Sequence, residues 1–244
     1  MNVIGKDGKY IVFYLIIMEL NKIIKMNKLH IGYHKTGTTF LQQKIFPNCK
    51  NYVGRFYNDK SKNGIPDFRY EGTEKRSQKL ISELNKYNNV FYSNETFSKL
   101  THDKLIQILG NNKFDILITL RLQSDLLYSR VNHTATDFYL TPSIVNFYKS
   151  KNITNNIIQH YNFTKLIKLL RDNGHKVTYI WYEDIFSLNK KAIQILSNYL
   201  NMNVYDIIKE NINNKINKGN KSMRKKIDIS KYFNNDKLNY NDIT

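Results

Sequence analysis

At 244 residues the chain is long enough for one sizeable α/β domain and short for two. Its 41% hydrophobic content is enough for a core, and the single cysteine, Cys49, excludes an intramolecular disulfide or a cysteine-based metal site, which suits a reducing, cytoplasmic setting. Lys and Arg number 38 against 20 Asp and Glu, and the resulting +18 favours polyanionic partners: an anionic cofactor, an acidic glycan or a membrane surface. Part of that charge reflects a composition crowded with Asn, Ile and Lys.

Residues 1–25 contain an apolar run, Tyr10 to Met18, about half the length a bilayer span needs, with no small-residue cleavage site after it. They are expected to lie outside the domain, as an extension of the reading frame upstream of Met26 or as a peripheral membrane anchor. The domain itself is expected over residues 26–205.

Its first element sets the terms for the rest. Leu29, Ile31 and Tyr33 alternate as in a strand, and Thr38, Leu41 and Ile45 then share one helical face. Between them lies a loop with two glycines, one lysine and three threonines. Glycines let backbone approach a ligand, a helix start presents N–H groups and a positive dipole end, and Lys35, Thr36, Thr38 and Thr39 add donors. Such a loop wants a phosphate-like anion. The spacing Gly32-x4-Gly37-Thr38-Thr39 imitates the triphosphate loop G-x-x-x-x-G-K-[ST], but the lysine position holds Thr38 and the lysine stands earlier, at Lys35.

Pro47 marks the end of this helix, Asn51 to Phe56 read as a short extended piece, and the polar loop from Asn58 to Gly72 is long enough to cover a site. Leu80, Ile81 and Leu84 trace the next helix, within 74–87, followed by a strand over Val90 to Ser93. Glu95 comes directly after it. A carboxylate at the C-terminal end of a parallel strand is placed to take a proton from a bound hydroxyl, which makes Glu95 the candidate general base.

Thr101 caps a short helix carrying Leu105, Ile108 and Leu109 and closed by Gly110. The clearest strand, Phe114 to Leu120, ends in Arg121. Ser124 then reads as the cap of a helix striped by Leu127, Val131, Thr134 and Phe138, with Arg121 and Ser129 off that stripe and His133 one turn past Ser129. The fork of Arg121 and the hydroxyl of Ser129 can converge on a phosphate monoester, and His133 is the second choice for a base. The segment 141–156 is Asn- and Tyr-rich. Phe163, Leu166, Ile167 and Leu170 make a helix stopped by Gly174, Val177 to Tyr182 a fourth strand, and Ala192, Leu196 and Leu200 a last helix. Residues 206–244 are polar and basic. No cluster has metal-ligand spacing, and no metal is predicted.

Strands alternating with helices imply an α/β fold: a three-layer αβα domain with a mostly parallel central sheet and its ligand at the strands' C-terminal ends. The string Gly32-Tyr33-His34-Lys35-Thr36-Gly37-Thr38-Thr39 followed by Phe40-Leu41-Gln42 resembles the 5′-phosphosulfate loop of sulfotransferases that use 3′-phosphoadenosine 5′-phosphosulfate (PAPS), in particular the bacterial carbohydrate type. Ile118 to Arg121 through Ser129 resembles that family's second signature, whose Arg and Ser, eight residues apart, bind the 3′-phosphate; the family's proline two residues after the arginine is here Gln123. Tyr92-Ser93-Asn94-Glu95 is similar to its (S/D)-x-E element and Tyr182-Glu183-Asp184 to its Y-E-D-L element, whose acids are read as structural.

The resemblance covers most of residues 26–200 and implies a P-loop-like fold, with PAPS as co-substrate and an acceptor hydroxyl, that of a glycan first. It assigns Lys35 and Glu95 catalytic roles and gives nucleotide binding to Lys35, Thr36, Gly37, Thr38, Thr39, Arg121 and Ser129. The basic segment after 205, with Asn217 to Ser222, would close over the nucleotide, and no nucleic-acid partner is expected. Two other readings use the same features: a P-loop nucleotide kinase or triphosphatase, and a non-catalytic polyanion-binding module.

Overall fold

The computed structural model describes residues 26–33, 35–54, 65, 70–122, 126 and 162–212. Strand β1 (Asn27–Gly32) leads through the loop into a continuous helical segment that opens as α1 (Thr38–Phe40), widens to a π-helical turn (Leu41–Ile45) and closes as a 3-10 turn (Phe46–Asn48). Pro47 sits inside that last turn, where its missing N–H costs nothing. Then follow α2 (Thr73–Leu84), β2 (Phe91–Ser93), a 3-10 turn (Glu95–Lys99), α3 (His102–Leu109), β3 (Phe114–Leu120), α4 (Phe163–Asp172), β4 (Lys176–Trp181), α5 (Tyr182–Phe186), α6 (Lys190–Leu200) and α7 (Tyr205–Asn211).

The four strands form one sheet in the order β2-β1-β3-β4, every neighbouring pair parallel. Parallel pairing demands crossovers that cover both faces, and β3 is accordingly buried at all seven positions. Side chains of one parity (Leu29, Ile31, Ile116, Ile118, Leu120, Tyr179) pack with α2, α3 and α4. The other parity (Phe91, Leu117, Ile180) packs with the first helical segment, α6 and α7, where Ile208 is fully buried. The three-layer αβα fold expected from the alternation is therefore present.

The asparagines that crowd the composition have work as helix caps. Asn162 accepts the N–H of Lys165 at 3.0 Å, and Asn189 accepts those of Lys191 and Ala192 at 3.0 and 3.2 Å. Tyr182 opens α5 rather than ending β4, and the extended piece after the first helix makes one parallel bridge, Tyr52 to Phe91. Cys49 is half-buried beside the Met202 sulfur, and burial pushes its thiol up to about 11 against the weaker pull of Lys28. Among the described residues no helix is long and apolar enough to cross a membrane. Ser129, His133, the N-terminal extension, most of the 58–72 loop, residues 139–156 and the basic segment from 213 lie outside the described residues.

Candidate functional site

The register places β1 and β3 side by side up to the pair Gly32 and Thr119, so the loop leaving β1 and the chain leaving β3 emerge at the same edge of the sheet. Two left-handed residues shape the loop: Lys35 at φ 68° and Gly37 at φ 76°. For lysine that conformation is uncommon, and for Gly37 it is doubly enforced. A Cβ there would lie 2.9 Å from the Tyr182 ring and 3.1 Å from Phe186, which lean on the loop from α5. Gly37 is thus the N-cap of the first helical segment, where the opening N–H groups have no intrahelical acceptor.

Arg121 reaches this loop directly. Its Nη1 donates to the carbonyl of Lys35 at 2.8 Å, its guanidinium lies over the Tyr182 ring at 4.6 Å, and its Nε stands 3.8 Å from Glu183 Oε1. The same carboxylate oxygen accepts the N–H of Leu122 at 3.3 Å. Tyr182 and Glu183 therefore hold the guanidinium against the loop, which agrees with the structural role read for Glu183. Lys35 and Arg121, 86 residues apart in sequence, are brought to one place.

Glu95 begins the turn after β2, next to β1 in the sheet, with Asn94 N–H donating to the His30 carbonyl at 3.3 Å and Asn94 Oδ1 accepting from Thr96 at 2.8 Å. It is half-buried on the C-terminal rim. Lys35, Gly37 and Thr39 are likewise half-buried.

Two of the loop threonines depart from expectation. Thr36 and Thr38 are 0% and 2% exposed, so their hydroxyls do not face outward. Thr36 turns both its N–H (3.3 Å) and its hydroxyl (2.7 Å) to the carbonyl of Tyr33, and the Thr38 hydroxyl lies 3.4 Å from the same oxygen and 3.3 Å from Thr36 Oγ1. The reason is the tightness of the left-handed turn at Lys35, which folds Thr36 under the loop. Thr38 keeps its N–H at the helix start, and the Thr36 side chain is turned into the fold.

Sequence reasoning missed the group beneath the loop. His30, fully buried on β1, lies 2.7 Å from Ser93 Oγ through Nδ1 and 3.1 Å from Thr119 Oγ1 through Nε2. Gln42 reaches Ser93 Oγ at 2.9 Å and its carbonyl at 3.3 Å, and Thr119 Oγ1 stands 3.0 Å from Thr36 Oγ1. Burial holds the His30 imidazole at about 3, hence neutral. The available signal was parity: with Leu29 and Ile31 on one face, His30 and Gly32 must point to the other, which a covered parallel sheet also buries. Among the described residues no group of His, Cys, Asp or Glu could hold a metal ion.

No family model matches the chain, and no curated protein matches it. Among solved structures it is similar to a sulfotransferase from Alicyclobacillus acidocaldarius, at 15% identity and a TM-score of 0.47, over 72% of this chain and 81% of that one.

Proposed function

We propose that the chain is a PAPS-dependent sulfotransferase acting on a hydroxyl, with a carbohydrate as the acceptor class. The observation that carries this reading is the 2.8 Å contact between the Arg121 guanidinium and the Lys35 carbonyl. It brings the Arg121 guanidinium and the backbone of Lys35 to one sheet edge, which supports a ligand with phosphates at both its 3′ and 5′ positions. The triphosphatase reading fares worse, because position 38 carries a threonine whose side chain is folded inward, and so supplies no cation to a γ-phosphate.

In this reading the N–H groups of Gly37, Thr38 and Thr39, with the Thr39 hydroxyl, hold the 5′-phosphosulfate, and Arg121 with Ser129 holds the 3′-phosphate. The acceptor oxygen forms a new bond to sulfur as the bond from sulfur to the phosphate oxygen breaks. Lys35 stabilises the charge gathering on the departing phosphate, Glu95 takes the acceptor's proton, and adenosine 3′,5′-bisphosphate leaves. The site of action is the cytoplasm, with any membrane contact through residues 1–25.

A thermal-shift comparison of adenosine 3′,5′-bisphosphate, ADP and magnesium-ATP tests the donor class. At a concentration of about 100 times Kd, the first should raise Tm by roughly 5–10 °C and the others by much less. Preferential stabilisation by magnesium-ATP would replace this reading with the kinase one, and equal small shifts from all three would favour a polyanion-binding module.

A further inference from the structure

The polar group under the loop can be solved for its hydrogens, and the solution has one direction. Thr36 donates its only hydroxyl proton to the Tyr33 carbonyl at 2.7 Å. At its 3.0 Å contact with Thr119, Thr36 must therefore accept, and Thr119 must donate. Having given that proton away, Thr119 can only accept from His30, so His30 carries its hydrogen on Nε2. Its Nδ1 is then an acceptor, and Ser93 donates to it at 2.7 Å. Ser93 Oγ in turn accepts from Gln42 Nε2 at 2.9 Å. The Gln42 amide cannot be reversed, since its oxygen would then face the Ser93 carbonyl at 3.3 Å.

The opposite tautomer fails at both ends, at Ser93, which would accept twice and keep a proton with no acceptor in this set, and at Thr119. With the hydrogen on Nδ1, Thr119 would donate to Nε2, and the oxygens of Thr119 and Thr36 would face each other at 3.0 Å with no hydrogen between them. A charged imidazole would oblige Ser93 Oγ to accept from both Gln42 and His30 and leave its own proton without an acceptor in this set. The neutral Nε2–H form alone satisfies every member, in a place where an unsatisfied polar group is costly.

We propose that this one-way chain, Gln42 to Ser93 to His30 to Thr119 to Thr36 to the Tyr33 carbonyl, is the device that holds the anion loop in its binding shape. His30, Ser93 and Thr119 are its positioning residues. By drawing the Tyr33 carbonyl and the Thr36 side chain downward, the chain keeps a carbonyl acceptor and a hydroxyl oxygen away from the bound anion and leaves helix N–H groups facing it. The three residues come from β2, β1 and β3, so the loop is registered against the whole C-terminal end of the central sheet. The Phe46 ring packs against His30 in a T-shaped arrangement, 4.9 Å between centroids.

The anion in question rests on the proposed donor class, so the test reads the chain in two ways. Thr119→Val keeps the volume and removes the hydroxyl, whereas Thr119→Ser keeps the hydroxyl and removes a methyl. Titration with adenosine 3′,5′-bisphosphate should show Val about tenfold weaker than the parent and Ser within about twofold. A packing role predicts the reverse order, with Val harmless, and that order or equal affinities for all three would overturn the proposal. The second reading needs no ligand. Imidazole nitrogen NMR of the parent should show His30 protonated on Nε2 alone down to pH 5, and Val but not Ser should move the amide signals of Gly37 and Thr38. An Nδ1-protonated or charged His30 at pH 5 overturns the chain even if the Val variant fails to fold. If the parent does not bind the bisphosphate, the donor class is wrong while the NMR outcomes still decide the chain.

Discussion

Gly32→Ala is the sharpest test of how closely the loop, the sheet and the buried histidine are fitted together. A Cβ at position 32 would stand 2.1 Å from Thr38 Oγ1, 2.7 Å from Thr38 Cγ2 and 2.8 Å from His30 Cε1. None of these atoms is the loose end of a long side chain. Thr38 is short and begins a helix, and His30 is held at both ring nitrogens. To reach ordinary contact the Thr38 hydroxyl would have to retreat by about 1 Å, giving up its contacts with Tyr33 and Thr36. Overpacking of this kind costs about 1–3 kcal/mol and each disturbed hydrogen bond about 1 kcal/mol, against about 0.5–1 kcal/mol regained by replacing glycine in a strand.

The net expectation is a loss of about 3 kcal/mol, or a Tm lower by roughly 6–12 °C. Urea unfolding followed by the fluorescence of Trp181, the only tryptophan and buried at the end of β4, measures it directly. Adding Thr38→Ala removes two of the three clashing atoms, so the double variant should recover about 1 kcal/mol of the loss as a coupling energy. An alanine variant as stable as the parent, or a double variant with strictly additive losses, would refute the fit described.

Other outcomes follow from the site. Lys35→Ala should abolish sulfuryl transfer while leaving Tm within a few degrees, because the side chain is half-buried on the rim rather than in the core; a salt-dependent loss of only a few-fold would point instead to a polyanion-binding module. Arg121→Lys should weaken adenosine 3′,5′-bisphosphate by about tenfold in calorimetry, since an ammonium cannot donate to the Lys35 carbonyl, lie flat on Tyr182 and still offer a fork to a phosphate. Glu95→Gln should lower kcat by about 10²–10⁴ with bisphosphate affinity within twofold in the same titration; an equal fall in both would make Glu95 a binding residue. Burial holds His30 at about 3 and His175, with a smaller push from Lys113, at about 4. Both imidazoles are thus neutral when folded and take up protons near 6.5 when unfolded, so the unfolded chain binds more protons below that value. Stability should be full above pH 6.5 and fall by up to about 1.4 kcal/mol per pH unit for each histidine down to about pH 4, measured by urea midpoints; Asp115, raised by burial, acts in the opposite direction.

The sequence made some of these contacts readable and hid others for a physical reason. Apolar alternation at Leu29, Ile31 and Tyr33 and the buried run Phe114 to Leu120 are local patterns, and they marked β1 and β3 to within a residue or two. The glycines and lysine of the loop are also local, and Arg121 stood out as a cation ending a buried strand. The direction of a threonine hydroxyl is not local in that sense. Thr36, Thr38 and Thr39 look alike in the string, yet the left-handed turn at Lys35 sends two of them under the loop and leaves the third half-buried at the surface. His30 was harder still, because its partners Ser93 and Thr119 lie 63 and 89 residues away and become neighbours only through the strand order β2-β1-β3.

That strand order also explains why one strand governs the loop from two sides. Thr119 and Arg121 share the parity of Leu117, while Ile118 and Leu120 face α2, α3 and α4. From below, Thr119 meets Thr36 at 3.0 Å; from the rim, Arg121 meets the carbonyl of the preceding residue, Lys35, at 2.8 Å. A slip of β3 by one residue would bury Thr119 among leucines and set Leu120 against the loop, losing the apolar face and the contacts to Thr36 and Lys35 in one step. The burial of Ile118 and Leu120, which stabilises the fold without touching any ligand, therefore also fixes where Arg121 and Thr119 stand. Core substitutions on that face should consequently lower ligand affinity only so far as they lower stability, whereas changes on the Thr119 face should separate the two.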